Sequence, residues 1–263
     1  PPRSTLFPYT TLFRSDRAVV YCAGGKVYQT GGARDRTVFE LPEGFSERPR
    51  VAAGDDGVTL VVSSWNGTTT QIWRTGRGAA RLEEREGDIG SLLVRPRRPE
   101  VSYVAGGGVY LTPLDGRKGR RLPVAPGEVV SALWTADGAA LLYLLRPAGE
   151  GRPEIRELLP ESGQDTVVAK TSNYGHFQRN GDATVFLGAS ASVASPHILL
   201  LLRSVKRELT ICEHRSSDAR FTRAVLSPNS SRMVFLTDRH GRLVIYAMAV
   251  DRLIEETEDK TPV

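Results

Sequence analysis

The chain has 263 residues, 40% hydrophobic and 25% charged, the balance of a water-soluble globular protein. No apolar run approaches the roughly eighteen residues of a membrane-spanning helix; Ile198 to Leu202, the longest candidate, is one strand long. The formal net charge is +5, and nearly all of the positive charge is arginine, with lysine only at Lys26, Lys118, Lys170, Lys206 and Lys260. Codon usage in a GC-rich genome accounts for that bias, and so does an affinity for anions, because a guanidinium grips a carboxylate or phosphate in a bidentate fork. Two cysteines, Cys22 and Cys212, with no CxxC pair, argue against a disulfide framework and a cysteine zinc site. Two reduced, half-buried thiols are expected, a single Cys22–Cys212 bridge being the other option.

At the start, Thr5 to Ser15 reads TLFPYTTLFRS and resembles the translation of a short-read sequencing adapter. Residues 1–15 are therefore read as non-native and left out of the fold reasoning. On this reading the native N-terminus, any signal peptide and any blade before Asp16 have been lost.

From Asp16 onward, short apolar runs alternate with turns. The clearest runs are Val58 to Ser63, Ala139 to Leu145, Thr184 to Gly188 and Met233 to Thr237. Each is rich in β-branched or aromatic residues and too short for a typical helix. Each follows a turn: Asp55-Asp56-Gly57, Asp137-Gly138, Asn180-Gly181-Asp182 and Pro228-Asn229-Ser230. Gly, Asn and Asp tolerate the positive φ that tight hairpins need. Shorter strands precede the turns at Arg50 to Ala53, Val129 to Thr135, His176 to Gln178 and Arg223 to Leu226. A third strand follows at Gln71 to Trp73, Val109 to Leu111, His197 to Leu202 and Val244 to Met248. A more polar fourth lies at Arg81-Leu82, Arg120 to Leu122, Thr166 to Ala169 and Arg207 to Cys212.

Four strands repeated at about forty residues is the blade logic of a β-propeller. Strands of alternating polarity need two covered faces, and radial packing of blades supplies both where a solenoid of hairpins does not. The expected fold is all-β, one propeller domain over residues 16–263. Its blades fall at about 16–46 (partial), 47–87, 88–127, 128–172, 173–215 and 216–250, with a solvated tail at 251–263. The unit with Arg97-Arg98-Pro99 in place of Asp-Gly is the most degenerate.

Gly106-Gly107-Gly108 precedes no helix start and reads as a hairpin turn, not a phosphate loop. Gly116 to Arg121, GRKGRR, reads as a solvated hairpin tip, and Asn66-Gly67-Thr68 as a hairpin turn. Neither GxSxG nor HExxH occurs, so a serine hydrolase domain and a zincin are unsupported.

The last unit, Leu226 to Val250, reads LSPNSSRMVFLTDRHGRLVIYAMAV. Through Ser227-Pro228-Asn229, Thr237-Asp238-Arg239, Gly241 and Ile245-Tyr246 it resembles the WD40-like repeat of the TolB type. Asp238 is expected to cap its own turn. A narrower resemblance runs through His176-Phe177-Gln178, Val185 to Ser190, Ile198 to Leu202, Glu208 to His214 and the last unit. This stretch is similar to the oligogalacturonate lyase family.

That resemblance implies a seven-bladed propeller, of which about five to six blades would be present here. It also implies β-elimination on short pectin-derived uronate oligosaccharides, with a divalent metal, manganese, held by histidines and a glutamine and acting as a Lewis acid. It implies His176 and Gln178 as metal ligands at the channel mouth, His176, Arg220 and Arg223 as catalytic groups, and Tyr174 and Gln178 as substrate-binding. The family's Gln-x-x-His-x-His cluster is replaced here by Asp218, Phe221 and Arg223. His197 and His240 are expected at an edge and in solvent.

Two functions follow. One is an oligogalacturonate lyase-like enzyme. The other is a non-catalytic TolB-like propeller binding a glycan or a protein. An acidic oligosaccharide is the expected partner, with no nucleic acid and no membrane, and a cytoplasmic or periplasmic location.

Overall fold

The structure is a computed structural model, which describes residues 11–12, 19–30, 35–76, 78–192, 194–218 and 222–258. Among the described residues six antiparallel meanders follow one another along the chain, five of four strands and one of three. They are the blades of a six-bladed, all-β propeller. The chain forms two compact units, Pro1–Leu122 and Pro123–Val263, with three blades in each.

The first unit opens with β1 (Thr11–Leu12), β2 (Val19–Ala23), β3 (Lys26–Thr30) and β4 (Arg36–Glu40). The backbone of Thr11 and Leu12, inside the segment read as adapter-derived, pairs with Val20 and Val19 and completes the first sheet. The second blade comprises β5 (Glu47–Ala53), β6 (Leu60–Trp65), β7 (Thr69–Thr75) and β8 (Ala80–Glu86). The third comprises β9 (Leu92–Val94), β10 (Glu100–Ala105), β11 (Gly108–Pro113) and β12 (Arg120–Arg121).

Strand β6 shows why its sequence is a continuous apolar run. Leu60 and Val62 join a cluster with Val20, Val27 and Val51, whereas Val61, one residue away on the other face, joins one with Ile72, Val101 and Tyr103. Both faces of the strand are covered, so period-2 alternation of polarity disappears. Burying each such side chain contributes about 1.5–3 kcal/mol.

In the second unit, the fourth blade comprises β13 (Gly127–Trp134), β14 (Leu141–Pro147), β15 (Glu154–Leu159) and β16 (Gln164–Lys170). The fifth comprises β17 (Tyr174–Arg179), β18 (Val185–Ser190), β19 (His197–Leu202) and β20 (Arg207–Glu213). The sixth comprises β21 (Val225–Leu226), β22 (Arg232–Thr237) and β23 (Val244–Ala249), and α1 (Asp251–Glu258) follows. Val185, Leu187 and Ala189 of β18 pack with Ile198, Leu200 and Leu202 against Met233 and Phe235 of the sixth blade.

Three features depart from the expectations. Strand β15, EIRELL, carries no strand signal of its own. Pairing with β14 and β16 holds it extended, with Ile155 and Leu158 buried and Arg156 bridging Glu154 (2.8 Å) and Asp165 (3.1 Å). The tail is not simply solvated: residues 251–258 form a helix whose Leu253 and Ile254 pack on the core shared by the last two blades. Asp238 does not cap its own turn. It reaches back 21 residues to accept the Ser217 N–H at 2.8 Å, and Ser217 Oγ donates to it as well.

The degenerate third blade borrows its cap. Arg97 adopts φ 58°, and its N–H donates to Asp55 Oδ2, in the turn of the preceding blade, at 2.9 Å. Both cysteines are free and half-buried, and burial pushes the Cys22 thiol up to about 12. No helix among the described residues is long and apolar enough to cross a membrane.

Candidate functional site

Strand β17 reads YGHFQR, and simple alternation would set Tyr174, His176 and Gln178 on one face. The register is interrupted between Tyr174, opposite Ser190, and His176, opposite Ala189. Gly175 is the extra residue of a β-bulge, and a bulge exchanges the faces on either side of it. Cross-strand partners share a face. His176 and Gln178, opposite Ala189 and Leu187, therefore lie on the face turned to the sixth blade. Tyr174 lies on the other face, with Phe177 and Phe186, whose rings are 6.1 Å apart.

Tyr174 is fully buried, so its expected contact with substrate has no surface to act through in this structure. Its ring lies over Gly188, where a Cβ would come within 2.5 Å of the ring carbons. Burial, and then the Glu208 carboxylate, push the phenol pKa up. Glu208 itself accepts the Ser172 N–H at 3.1 Å and ties the start of β17 to β20.

His176 and Gln178 do come together, with His176 Nε2 3.5 Å from Gln178 Nε2. The Nδ1 atom is sealed from solvent and has no hydrogen-bond partner among the described residues. Burial first, and the Arg223 guanidinium second, push the His176 pKa down to about 3. The imidazole is neutral at physiological pH. A base that weak takes up a substrate proton poorly, whereas a neutral ring still serves as donor and acceptor to sugar hydroxyls. Arg223 is exposed and immediately precedes Ala224 and β21, so the neighbouring blade supplies the positive charge. Arg220 and Phe221 lie outside the described residues.

The donor set does not fit resident manganese. His176 and Gln178 offer one imidazole and one amide. Among the described residues no group of three or more His, Cys, Asp or Glu side chains could hold a metal ion. Manganese favours a fuller shell rich in oxygen donors, and the Arg223 charge that disfavours a proton on His176 disfavours a metal cation there too.

The scaffold behind this face is mostly invisible in the sequence. His214 is buried, and its Nδ1 accepts the Ser216 N–H at 3.0 Å, while its carbonyl accepts the Thr237 hydroxyl at 2.6 Å. With the Ser217–Asp238 pair, these bonds anchor residues 214–218 to the sixth blade. Only Thr237-Asp238, within the repeat motif, marks the anchor in sequence. His197, at the start of β19, has Nδ1 2.9 Å from Ser195 Oγ, and His240, on an exposed turn, has Nε2 2.6 Å from the Tyr246 hydroxyl.

No family model and no curated protein matches the chain. Solved structures do. An oligogalacturonate lyase in complex with manganese superposes with a TM-score of 0.81 at 17% identity, over 95% of this chain and 78% of that one. The oligogalacturonate lyase from Vibrio parahaemolyticus gives 0.80 at 17% identity, over 93% and 77%. TolB from Acinetobacter baumannii gives 0.64 at 16% identity, over 90% of this chain and 58% of that one. At such identities the likeness is one of fold. The chain has the propeller fold that oligogalacturonate lyases and TolB also have.

Proposed function

We propose that this chain binds short acidic oligosaccharides of the uronate class on the face formed by His176, Gln178 and Arg223. The carrying observation is that a neutral imidazole and an amide stand beside a guanidinium contributed by the next blade. Arg223 would hold a uronate carboxylate, and His176 and Gln178 would bond ring hydroxyls. The net charge of +5 favours the approach of an anion. The test is calorimetric titration with digalacturonate. Arg223→Ala is expected to weaken binding about tenfold or more, as removal of a charge-assisted hydrogen bond does. Full affinity in both Arg223→Ala and His176→Ala would overturn the assignment.

A second reading, oligogalacturonate lyase-like β-elimination, is favoured by the superposition at a TM-score of 0.81 on a manganese-bound lyase. In that reaction a base removes the proton α to the uronate carboxylate, and the 4-linked sugar leaves. The product carries a double bond conjugated with the carboxylate. Incubation with unsaturated digalacturonate and manganese separates the readings. Binding without new ultraviolet-absorbing product supports the first. Manganese-dependent product that chelation abolishes would establish the second.

A further inference from the structure

We infer that Asn66 is a site of spontaneous deamidation, whereas Asn180, the other asparagine that precedes a glycine, is guarded against it by the fold. The chain has four asparagines, and Asn66-Gly67 and Asn180-Gly181 are its two Asn-Gly pairs. The chemistry is intramolecular. The glycine nitrogen, having lost its proton to hydroxide, attacks Cγ of the asparagine. The N–Cγ bond forms, the Cγ–Nδ2 bond breaks, and Nδ2 leaves as ammonia with a proton taken from water. Water then opens the resulting cyclic imide at either carbonyl, to aspartate or isoaspartate. Glycine permits the attack because no Cβ crowds its backbone. The dipeptides make the two sites equal, and only their surroundings separate them.

Asn66 lies in the hairpin turn between β6 and β7, where Asn66, Gly67 and Thr68 are all exposed. Gly67 adopts φ 98°, and its N–H has no partner among the described residues, so water reaches the attacking nitrogen. Asn66 Oδ1 accepts the Thr68 N–H at 3.0 Å and the Thr69 N–H at 2.7 Å. This turn folds the side chain back along the peptide that attacks it. It also aims two donors at the oxygen on which negative charge gathers as the N–Cγ bond forms. Nδ2, the leaving atom, is bonded to no described residue.

Asn180, half-buried in the turn between β17 and β18, is held at both ends of its side-chain amide. Its Nδ2 donates to Thr184 Oγ1 at 2.9 Å, and its Oδ1 accepts the Val185 N–H at 3.0 Å. The Arg179 guanidinium clamps the peptide that would have to turn, donating to the carbonyls of Asn180 at 2.7 Å and Gly181 at 2.6 Å. Ring closure there has to break bonds that Asn66 does not make. Conversion of Asn66 adds a carboxylate to a chain of net charge +5, and the isoaspartate product lengthens the main chain of the turn by a methylene.

Peptide mapping by mass spectrometry after incubating the full chain in heavy-oxygen water at mildly alkaline pH tests the proposal, because each new carboxylate is labelled. The same incubation in urea supplies the unfolded reference for both pairs. In the folded protein Asn66 is expected to convert within about threefold of its unfolded rate, and Asn180 about tenfold or more below its own. Gly67→Ala should slow conversion at Asn66 about tenfold or more, in the folded protein and in urea alike. The added Cβ meets nothing within 4 Å, so the rest of the fold is left as it is. Thr184→Val, which releases Nδ2 of Asn180, should raise conversion there with circular dichroism unchanged. Protection of Asn66 equal to that of Asn180, conversion at Asn66 indifferent to Gly67→Ala, or conversion at Asn180 indifferent to Thr184→Val would overturn the proposal.

Discussion

An imidazole walled in at Nδ1 and set beside a guanidinium resists protonation, and that resistance is measurable as stability. His176 titrates near 6.5 when unfolded and near 3 when folded. Between those values the unfolded chain binds the extra proton, so stability rises with pH across this window and levels off above it. Asp182 and Asp238, whose pKa values are lowered by Thr184 and Ser217, lose their contributions only below about pH 4. The interval from pH 4 to 6.5 therefore reports mainly on histidine, with His214, also lowered by burial, adding to the slope. We expect the urea midpoint of the wild type to fall between pH 7 and 4.5, and that of His176→Gln to fall less. Equal slopes would show that His176 does not carry the effect. On the opposite face of the strand, Gly188 leaves room for the Tyr174 ring. Gly188→Ala should destabilise by about 1–3 kcal/mol in urea melts, as overpacking does, because the Cβ would meet the ring 2.5 Å away. His176 was identifiable from sequence as a lone polar ring opening a strand. Its separation from Tyr174 was not, because a one-residue bulge has no local signature beyond a glycine.

At the scale of the blade, the recurring turn is a hydrogen-bonding device. Asp56 accepts Val58 N–H (3.1 Å) and Thr59 N–H (2.8 Å), Asp137 accepts Ala139 N–H (3.0 Å), Asp182 accepts Thr184 N–H (3.2 Å), and Asn229 accepts Ser231 N–H (3.3 Å). Each side chain bonds the backbone two or three residues on, so the device is written locally and can be read locally. Asp182→Ala should cost about 1 kcal/mol in urea unfolding. Asp55→Ala should cost a similar amount, although Asp55 belongs to a different turn from the one it caps. It would free the Arg97 N–H of the third blade, and an unchanged midpoint would show that water replaces Asp55 there. Strand β15 was missed in the sequence, as were β9, β10 and α1. EIRELL mixes charged and apolar residues in a pattern that suits a helix as well as a strand, and its conformation is imposed by β14 and β16 on either side.

For the whole molecule, the balance of charge is the property that acts at a distance. A cationic protein draws an anionic ligand through a field that salt screens within about 10 Å at 0.1 M. Affinity for digalacturonate should therefore fall as sodium chloride is raised, and a salt-independent constant would point to recognition through hydroxyls alone. The sequence by itself determined the all-β repeat, its period and most of its strands. Turn capping and apolar runs act over two to seven residues, and the forces that produce them are contained in that span. Only the tertiary structure decided which side chains share a face. The bulge at Gly175 depends on the register with β18, and the charge facing His176 comes from Arg223, beyond an intervening three-stranded stretch of chain. A strand's face is set by its pairing partner, and its electrostatics by the neighbouring blade, so neither is encoded within the strand that carries the site.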